Sequence, residues 1–269
     1  MSLQVLPQFK VVDESDDWLV VDKAAPLIVH PTNRKDEPTL LGGVEQLLLF
    51  EIENGVRPAV VNRLDRDTSG LVIVAKHRDA ASELGSLMEE RKIHKEYHAI
   101  VKGWPKENTW RCELPIQRAG VTEESKIWVR QIVHADGKSC CTNFSVLERF
   151  ERNGDRFALI HCLPETGRMH QIRVHLAEGG HPIVGDKLYS AEGEEYIEWM
   201  ADGWTEALQA RLYLPRQALH ASRLELSWQS RGYDWQAALP ADMQDFIGGL
   251  PYRKSKAVIE WSRDQRQQG

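Results

Sequence analysis

Apolar and polar positions alternate in several short segments of the chain, and this alternation predicts strands. The segment DWLVVDKAAPLIVHP (17–31) has the pattern of two short strands joined at KAAP, because apolar runs lie on both sides of a proline-containing turn. LVIVAK (71–76) is continuously apolar and rich in β-branched residues, which is typical of a buried central strand. Two further strands are predicted at HKEYHAIVKGW, where Tyr97 lies on the apolar side, and at DRFALIHCLP (155–164).

Other segments repeat their apolar residues at helical spacing. EPTLLGGVEQLLLFE (37–51) and DAASELGSLMEERK (79–92) are predicted helices, the second with Asp79 as its N-cap. A third helix is predicted from Arg168 to Ala177, where a Gly-Gly pair ends it. Strands separated by single helices, without regular strand–helix–strand repeats, predict an α+β fold with a mixed, largely antiparallel central sheet and flanking helices.

The stretch NRLDRDTSG (62–70) places four charges beside the predicted central strand. Two arginines and two aspartates lie within positions 63–67, directly before a Thr-Ser-Gly turn and the apolar run. Charged groups close to a core must be paired, because an unpaired buried charge is costly. Such crowding is found in active sites and also in ordinary ion-pair networks at a solvated turn.

Arg173 falls on the apolar stripe of the third predicted helix, together with Met169, Ile172 and Leu176. Arginine stays charged in proteins, so an inward-facing Arg173 needs an anionic partner. A carboxylate from the crowded 63–67 stretch is a natural candidate, which gives the hypothesis that Arg173 pairs with Asp65. The alternative is that Arg173 extends its head to the surface and covers the stripe with its stem.

The composition is that of a globular protein with 269 residues, 42% of them hydrophobic and 28% charged. No apolar run approaches the ~20 residues that span a bilayer, and we find no charged-then-apolar secretory leader. The four cysteines include no C-x-x-C pair, which favours a reduced, intracellular protein and a cytoplasmic location.

The charge balance limits the class of partner. A net charge of −6 and a pI of about 6.0 count against indiscriminate binding to phosphate backbones, so a nucleic-acid role would need a local basic patch. The stretch 190–210 contains six carboxylates and no Lys or Arg. This acidic stretch is predicted to be either a surface helix or a partner-docking element.

Several segments together resemble the RluA-type pseudouridine synthases. NRLDRDTSGL is similar to the family signature H-R-L-D-R-x-T-S-G-L, with Asn62 in place of the usual His. LVVDKAAPLIVHP resembles the family's opening strands, with Lys23-Ala24 in place of the usual Lys-Pro. HKEYHAIVKG, TGRMHQIRVHLAEGGHPIVGDKLY and ALHASRLEL are similar to later family segments, in the same order, so the resemblance covers roughly residues 10 to 230.

This resemblance implies a pseudouridine synthase fold and an isomerase that converts a uridine in structured RNA, either tRNA or rRNA, to pseudouridine without a metal or organic cofactor. It implies a catalytic domain over residues 1–230 and a C-terminal extension at 231–269 that packs on the domain or trails from it. We expect no additional S4-type RNA-binding domain before the opening strands, no membrane association and a monomer. The missing domain favours a tRNA or a simple stem-loop as the substrate.

The resemblance also implies roles for individual residues. Asp65 corresponds to the catalytic carboxylate, Tyr97 to a tyrosine that stacks on the uracil, and Arg173 would favour the ionised form of Asp65. Because the target base must leave its helix, Arg63 is predicted to interact with the RNA backbone or to fill the vacated stack. The other predicted RNA contacts are Arg66, Arg91, Lys92, Lys95, Arg168 and His170. For the run 91–95 a solvated helix end is the alternative, and for His170 and His175 an exposed helix surface.

Two other functions are considered. The DRDTS loop superficially resembles the aspartate loop of Mg²⁺-dependent phosphotransferases, but that loop should directly follow a buried apolar strand, whereas here the strand comes after it. A catalytically inactive RNA-binding protein is the second alternative, although Asp65, Tyr97 and Arg173 are all present.

Overall fold

The computed structural model describes residues 9–31, 37–122 and 127–252. They fall into two compact units. The first unit contains residues up to Lys95 together with Ala221–Ala238, and the second contains Glu96–His220 and the residues from Leu239 onward. Among the described residues, no helix combines the length and the apolar character that a bilayer crossing needs.

Strands and helices alternate along the described chain. The strands are β1 (Phe9–Glu14), β2 (Trp18–Lys23), β3 (Ala59–Val60), β4 (Ser69–Ala75), β5 (His94–Lys102), β6 (Thr109–Cys112), β7 (Ile116–Arg118), β8 (Gln131–Val133), β9 (Thr142–Arg152), β10 (Asp155–Pro164), β11 (Leu219–Trp228) and β12 (Arg231–Gln236). The helices are α1 (Leu40–Leu47), α2 (Leu49–Glu53), α3 (Arg78–Glu89), α4 (Gln171–Glu178), α5 (Glu194–Asp202), α6 (Glu206–Leu212) and α7 (Ala241–Ile247).

The first unit is built around β4, the strand predicted from LVIVAK. Strand β2 pairs antiparallel with β1 and β4, the short β3 also pairs with β4, and β11 lies next to β4 and pairs antiparallel with β12. All seven residues of β4 are buried, because α3 and the indole of Trp18 pack with it in one apolar cluster. The prediction of a central strand is therefore confirmed.

Two local predictions in the first unit are wrong. The N-cap of α3 is His77, whose Nδ1 accepts a hydrogen bond from the Ala80 N–H at 3.2 Å. Asp79 instead lies in the first turn, where its negative charge interacts favourably with the positive end of the helix dipole. The second strand of the opening pair forms only a single bridge, between Ile28 and Thr39. Its neighbour Leu27 donates its N–H to the carbonyl of Arg66 and not to a strand.

The second unit has an antiparallel sheet in the order β5-β10-β9-β6 and a separate β7–β8 pair. Its core contains Ile100, Phe157, Ile160 and Leu176, so α4 packs against the apolar side of this sheet. Sheets with flanking helices confirm the predicted α+β class.

The third predicted helix starts later than expected. Helix α4 begins at Gln171 because His170 has a left-handed backbone, with φ 56°, and the Gln171 side chain accepts a hydrogen bond from the Arg168 N–H at 3.0 Å. Met169 consequently lies outside the helix and is 45% exposed, so it does not belong to the apolar stripe.

The acidic stretch forms two short helices, α5 and α6, in place of one. Of the predicted C-terminal extension, β12 pairs with β11, and α7 buries Met243 and Phe246 in the core of the second unit. Residues 253–269 of the predicted extension lie outside the described residues. The domain boundary at residue 230 stays a prediction.

Candidate active site

The charged stretch 62–68 is attached to β4 at its first residue. Asn62 is buried, and its side chain pairs with the strand as a peptide group would: Oδ1 accepts the Ile73 N–H at 2.8 Å and Nδ2 donates to the Leu71 carbonyl at 3.1 Å. A carboxamide presents its acceptor and donor side by side, which suits two backbone groups of one strand. The departure from the family histidine at Asn62 therefore has a structural role here.

A buried lysine holds the middle of the same stretch. The Lys23 side chain is fully buried, and its Nζ donates to three carbonyls, those of Ala24 at 3.0 Å, Leu27 at 2.9 Å and Arg66 at 3.2 Å. The Arg66 carbonyl also accepts the Leu27 N–H at 2.9 Å. Three carbonyls match the three donors of an ammonium group, so burial of Lys23 is compensated. Lys23 thus ties the opening turn to the residue after Asp65.

Asp65 lies between these two anchors and is half-buried. Its carbonyl accepts the Thr68 N–H at 3.1 Å, which closes a turn that leads into β4. The strand then passes close to its neighbour at Gly70, where φ is +115° and a Cβ would lie 2.2 Å from the Ala221 carbonyl oxygen. Only glycine fits there, so the path of the chain away from Asp65 is fixed by backbone packing.

The two arginines beside Asp65 differ in their surroundings. Arg63 is exposed, which agrees with a role in contacting RNA. Arg66 is partly buried, with Nε 3.8 Å from a Glu37 carboxylate oxygen and Nη1 4.0 Å from one of Asp67. Both RNA-contact assignments stay predictions.

Arg173, in the second unit, faces inward as the helical spacing predicts. Only 4% of the residue is exposed, so the alternative in which its head reaches the surface is wrong. It forms a bidentate pair with the fully buried Asp186, from Nε to Oδ2 at 2.7 Å and from Nη2 to Oδ1 at 2.9 Å. The expected anionic partner is present, and it is Asp186, which the helical pattern does not identify. The pairing of Arg173 with Asp65 stays a prediction, because these residues belong to different units.

The segment that carries Asp186 is also fixed by backbone packing. At Gly185 φ is +79°, and a Cβ would lie 1.8 Å from the Arg216 carbonyl oxygen. The Asp186 Oδ1 accepts the Leu188 N–H at 3.0 Å, and the Asp186 carbonyl accepts from the Ser190 hydroxyl at 2.7 Å. The sequence contains one signal that could have indicated this site, a Gly-Asp pair directly after the apolar run PIV.

Tyr189 follows on the same segment and contacts several parts of the second unit. The Arg173 guanidinium carbon lies 5.0 Å from the centre of its ring. Its hydroxyl oxygen accepts the Gln131 N–H at 3.0 Å and lies 2.8 Å from Nδ1 of His170. His170 is thus tied to Tyr189 and is only partly accessible.

Tyr97 lies on β5, opposite Cys162 of β10, and packs partly buried against the core of the second unit. Its neighbour His98 has a buried Nδ1 with no hydrogen-bond partner. Burial, and then the nearby His161, lower the pKa of His98. Because neighbouring residues of a strand point to opposite faces, His98 lies on the other face of β5 from Tyr97.

The cationic run after α3 is only partly available. Arg91 and Lys92 are exposed, although Lys92 Nζ lies 2.6 Å from a carboxylate oxygen of Glu90. Lys95 is half-buried, and burial lowers its pKa. Arg168 is exposed and donates weakly to the Ser139 carbonyl at 3.4 Å. None of these contacts tests binding to RNA.

His175 does not lie on the helix surface, as the sequence suggested, but is 1% exposed. Its Nε2 lies 2.9 Å from the Leu114 carbonyl oxygen and its Nδ1 lies 3.0 Å from the Thr142 hydroxyl. It is a structural histidine of the core. Within the described ranges, no three His, Cys, Asp or Glu side chains are grouped so that they would hold a metal ion.

Comparison with known proteins agrees with these segments. The model of a family described as RNA pseudouridylate synthase matches residues 17–178, more than half of the chain and the part that contains Asp65, Tyr97 and Arg173. The chain belongs to this family. Family membership confirms the resemblance seen in the sequence motifs; the roles of the individual residues are a separate question.

Relatives in the family include two proteins named ribosomal large subunit pseudouridine synthase D. The protein of Nitrosomonas europaea is 36% identical over 243 residues, which cover 90% of this chain and 65% of that protein. The protein of Yersinia pestis is 35% identical over 259 residues, which cover 95% of this chain and 73% of that protein. The chain thus spans about two thirds of the length of the first relative.

Solved structures of family members share the fold. Human RNA pseudouridylate synthase domain containing 4 superposes with a TM-score of 0.68 at 22% identity, covering 90% of this chain and 94% of its own. Human RNA pseudouridylate synthase domain containing 1 also gives 0.68, at 23% identity, covering 99% and 98% of the two chains. At this identity the likeness supports the fold alone.

Proposed function

We propose that this protein is an RNA pseudouridine synthase that isomerises a uridine of large-subunit ribosomal RNA, with Asp65 as the catalytic carboxylate. The observation that carries the proposal is the family motif around Asp65, which lies between the Asn62 anchor, the two hydrogen bonds from Asn62 to β4, and the Lys23 clamp, the hydrogen bonds from Nζ to three carbonyls. The substrate class is argued from the names of the similar bacterial proteins. The chemistry is argued from the residues themselves.

In the isomerisation, the N1–C1′ bond of uridine breaks, the base turns, and its C5 bonds to C1′ while the C5 proton leaves and N1 gains a proton. Positive character builds at C1′ as the glycosidic bond breaks, and an ionised carboxylate stabilises or captures it. A carboxylate can act by attack on C1′ or by accepting a ribose proton. Both routes require Asp65 to be deprotonated.

Arg173 would keep Asp65 ionised by providing positive charge. Its bidentate pair with Asp186 fixes the orientation of the guanidinium, so the charge can be placed before the substrate arrives. Tyr97 would stack on the extruded uracil, and its hydroxyl would help to manage the C5 proton. The roles of Asp65, Tyr97 and Arg173 are thus complementary.

RNA binding would rest on local cations, since the chain as a whole carries a net charge of −6. Exposed Arg63, beside the catalytic loop, would contact the backbone or fill the space of the flipped base. Arg66, the run 91–95, Arg168 and His170 are proposed as further contacts.

Tritium release from RNA labelled at uridine C5 tests the proposal. Ribosomal RNA and tRNA from cells that lack the enzyme would be assayed separately, with EDTA present. We expect wild type to release tritium from large-subunit RNA, and Asp65→Asn to reduce the rate about a thousandfold or more. Asp67→Asn is the matched control: it removes a carboxylate of the same loop and should keep the rate within about fivefold.

The outcomes separate the alternatives. Release from tRNA alone would keep the isomerase and replace the proposed substrate. Binding of RNA without release from any fraction would contradict catalysis and favour an RNA-binding protein. Phosphatase activity that EDTA abolishes would favour the phosphotransferase. The structure does not favour it, because the strand directly before the DRDTS loop, β3, has only two residues.

A further inference from the structure

Strand β8 has an edge that no described strand covers, and Tyr189 occupies it. β7 and β8 form a sheet of their own, so β8 has β7 as its single described neighbour. On the side of β7, the Arg130 carbonyl accepts the Ala119 N–H. The residue after Arg130, Gln131, donates its N–H to the Tyr189 hydroxyl oxygen. Tyr189 therefore supplies the hydrogen bond that a further strand would otherwise make.

The body of Tyr189 packs between this strand pair and α4. Its ring contacts an apolar cluster, which consists of Ile116 of β7, Val174 of α4 and Cys140. One ring face lies near the Arg173 guanidinium, at 5.0 Å, a distance at which a cation and an aromatic ring attract each other. Tyr189 thus contacts Arg173 of α4 as well as the β7–β8 pair.

The hydroxyl has a second partner in His170, the N-cap residue of α4. Its oxygen lies 2.8 Å from Nδ1, and the two rings meet edge to face with centroids 5.7 Å apart. The same oxygen accepts from the Gln131 N–H, so one hydroxyl group contacts both residues. The Tyr189 hydroxyl therefore connects β8 to the start of the helix that carries Arg173.

We infer that Tyr189 is a positioning residue for Arg173, which it connects to the β7–β8 pair. Asp186 binds the Nε–Nη2 edge of the guanidinium, and the Tyr189 ring, whose centre lies 5.0 Å from the guanidinium carbon, restricts the movement of the group out of this pair. The role in catalysis rests on the proposed function, in which Arg173 acts on Asp65. The positioning itself is a property of the second unit and can be measured without RNA.

The first measurement is the exchange of the Arg173 Nε–H with solvent, followed by ¹⁵N NMR on the full-length protein. Tyr189→Phe keeps the ring but removes both hydroxyl contacts, and should speed exchange about two- to tenfold. Tyr189→Leu also removes the ring, and should speed it more. Tyr213→Phe is the matched control, since its hydroxyl donates to Asp155 at 2.6 Å in the same unit without contact to this network; its exchange should match that of wild type.

The second measurement is tritium release at saturating and limiting RNA. Tyr189→Leu should lower kcat about ten- to a hundredfold while KM stays within about twofold, because a misplaced Arg173 impairs the chemical step. A structural role would instead lower the thermal midpoint and leave the kcat of the folded fraction unchanged. That result would overturn the inference.

The two proposals fail in different ways. If wild type releases no tritium, the proposed function fails, and the exchange rates alone decide the positioning role. Equal Arg173 exchange in wild type, Tyr189→Phe and Tyr189→Leu would overturn the inference even if tritium release is normal. If Tyr189→Leu does not fold, Tyr189→Phe decides both measurements.

Discussion

Replacement of Asn62 tests whether the catalytic loop is anchored as the structure shows. Asn62→Ala leaves the Ile73 N–H and the Leu71 carbonyl of β4 without their partners. Both residues are completely buried, so water cannot replace the lost bonds without opening the sheet. An unpaired buried backbone group costs about 1–3 kcal/mol, and two of them lower the free energy of unfolding by about 2–6 kcal/mol.

Asn62→Asp gives a sharper version of the test. A protonated aspartic acid has the same shape as asparagine and can donate to the Leu71 carbonyl, whereas the ionised form cannot. The buried site therefore raises the pKa of the new carboxyl above that of the unfolded chain. With that sign, the variant is close to wild type at pH values below about 4 and loses stability as the pH rises through the raised pKa.

Urea unfolding of the full chain, followed by tryptophan fluorescence between pH 4 and 8, measures both effects. Asn54→Ala is the control, because Asn54 is exposed and its side chain donates only to the Phe50 carbonyl. It should change the free energy of unfolding by less than about 0.5 kcal/mol. Equal stability of Asn62→Asp and wild type at pH 8, or a difference that does not shrink toward pH 4, would refute the anchoring.

Three further predictions concern buried polar groups. Lys23→Met should lower the free energy of unfolding by about 2–3 kcal/mol in urea titrations, because the three hydrogen bonds from Nζ are lost and the Leu27 carbonyl is left without this donor in a buried place, and Lys23→Arg should not restore it. Full stability of Lys23→Met would exclude the clamp. Asp186→Asn should lower stability by about 3–5 kcal/mol, since the buried Arg173 keeps its charge and loses the carboxylate of its bidentate pair, and thermal unfolding beside the exposed control Asp202→Asn would show it. Burial lowers the pKa of His175, so the unfolded chain takes up more protons below pH ~6.5 and stability should fall as the pH falls. His175→Gln should flatten that slope, and an unchanged slope would contradict the assignment.

The features that the sequence predicted correctly depend on local pattern. The run LVIVAK identified β4 because a strand that is buried on both faces has a nearly continuous apolar sequence. Helical spacing predicted an inward Arg173, and the residue is buried, although α4 has no exposed face between Gln171 and Leu176. Such patterns are repeated along the chain and can be read without tertiary contacts.

The features that the sequence did not reveal depend on contacts between distant residues. The partner of Arg173 is Asp186, thirteen positions away across a glycine turn, and no periodicity connects the two. Lys23 contacts carbonyl groups, which every residue possesses, so the clamp has no sequence signature beyond one lysine. The start of α4 was misplaced because a left-handed His170 is unusual for a residue with a side chain.

The acidic helices α5 and α6 have a consequence for the approach of a polyanion. Glu192, Glu194, Asp202 and Glu206 are exposed, whereas the single cation of the two helices, Arg211 of α6, is paired with Glu198 of α5. This face repels phosphates over roughly the 8 Å Debye length of physiological salt, so it narrows the set of orientations in which RNA can arrive. Added salt would screen this repulsion together with the attraction of the basic residues, and the association rate would therefore fall less steeply with ionic strength than in a uniformly basic protein.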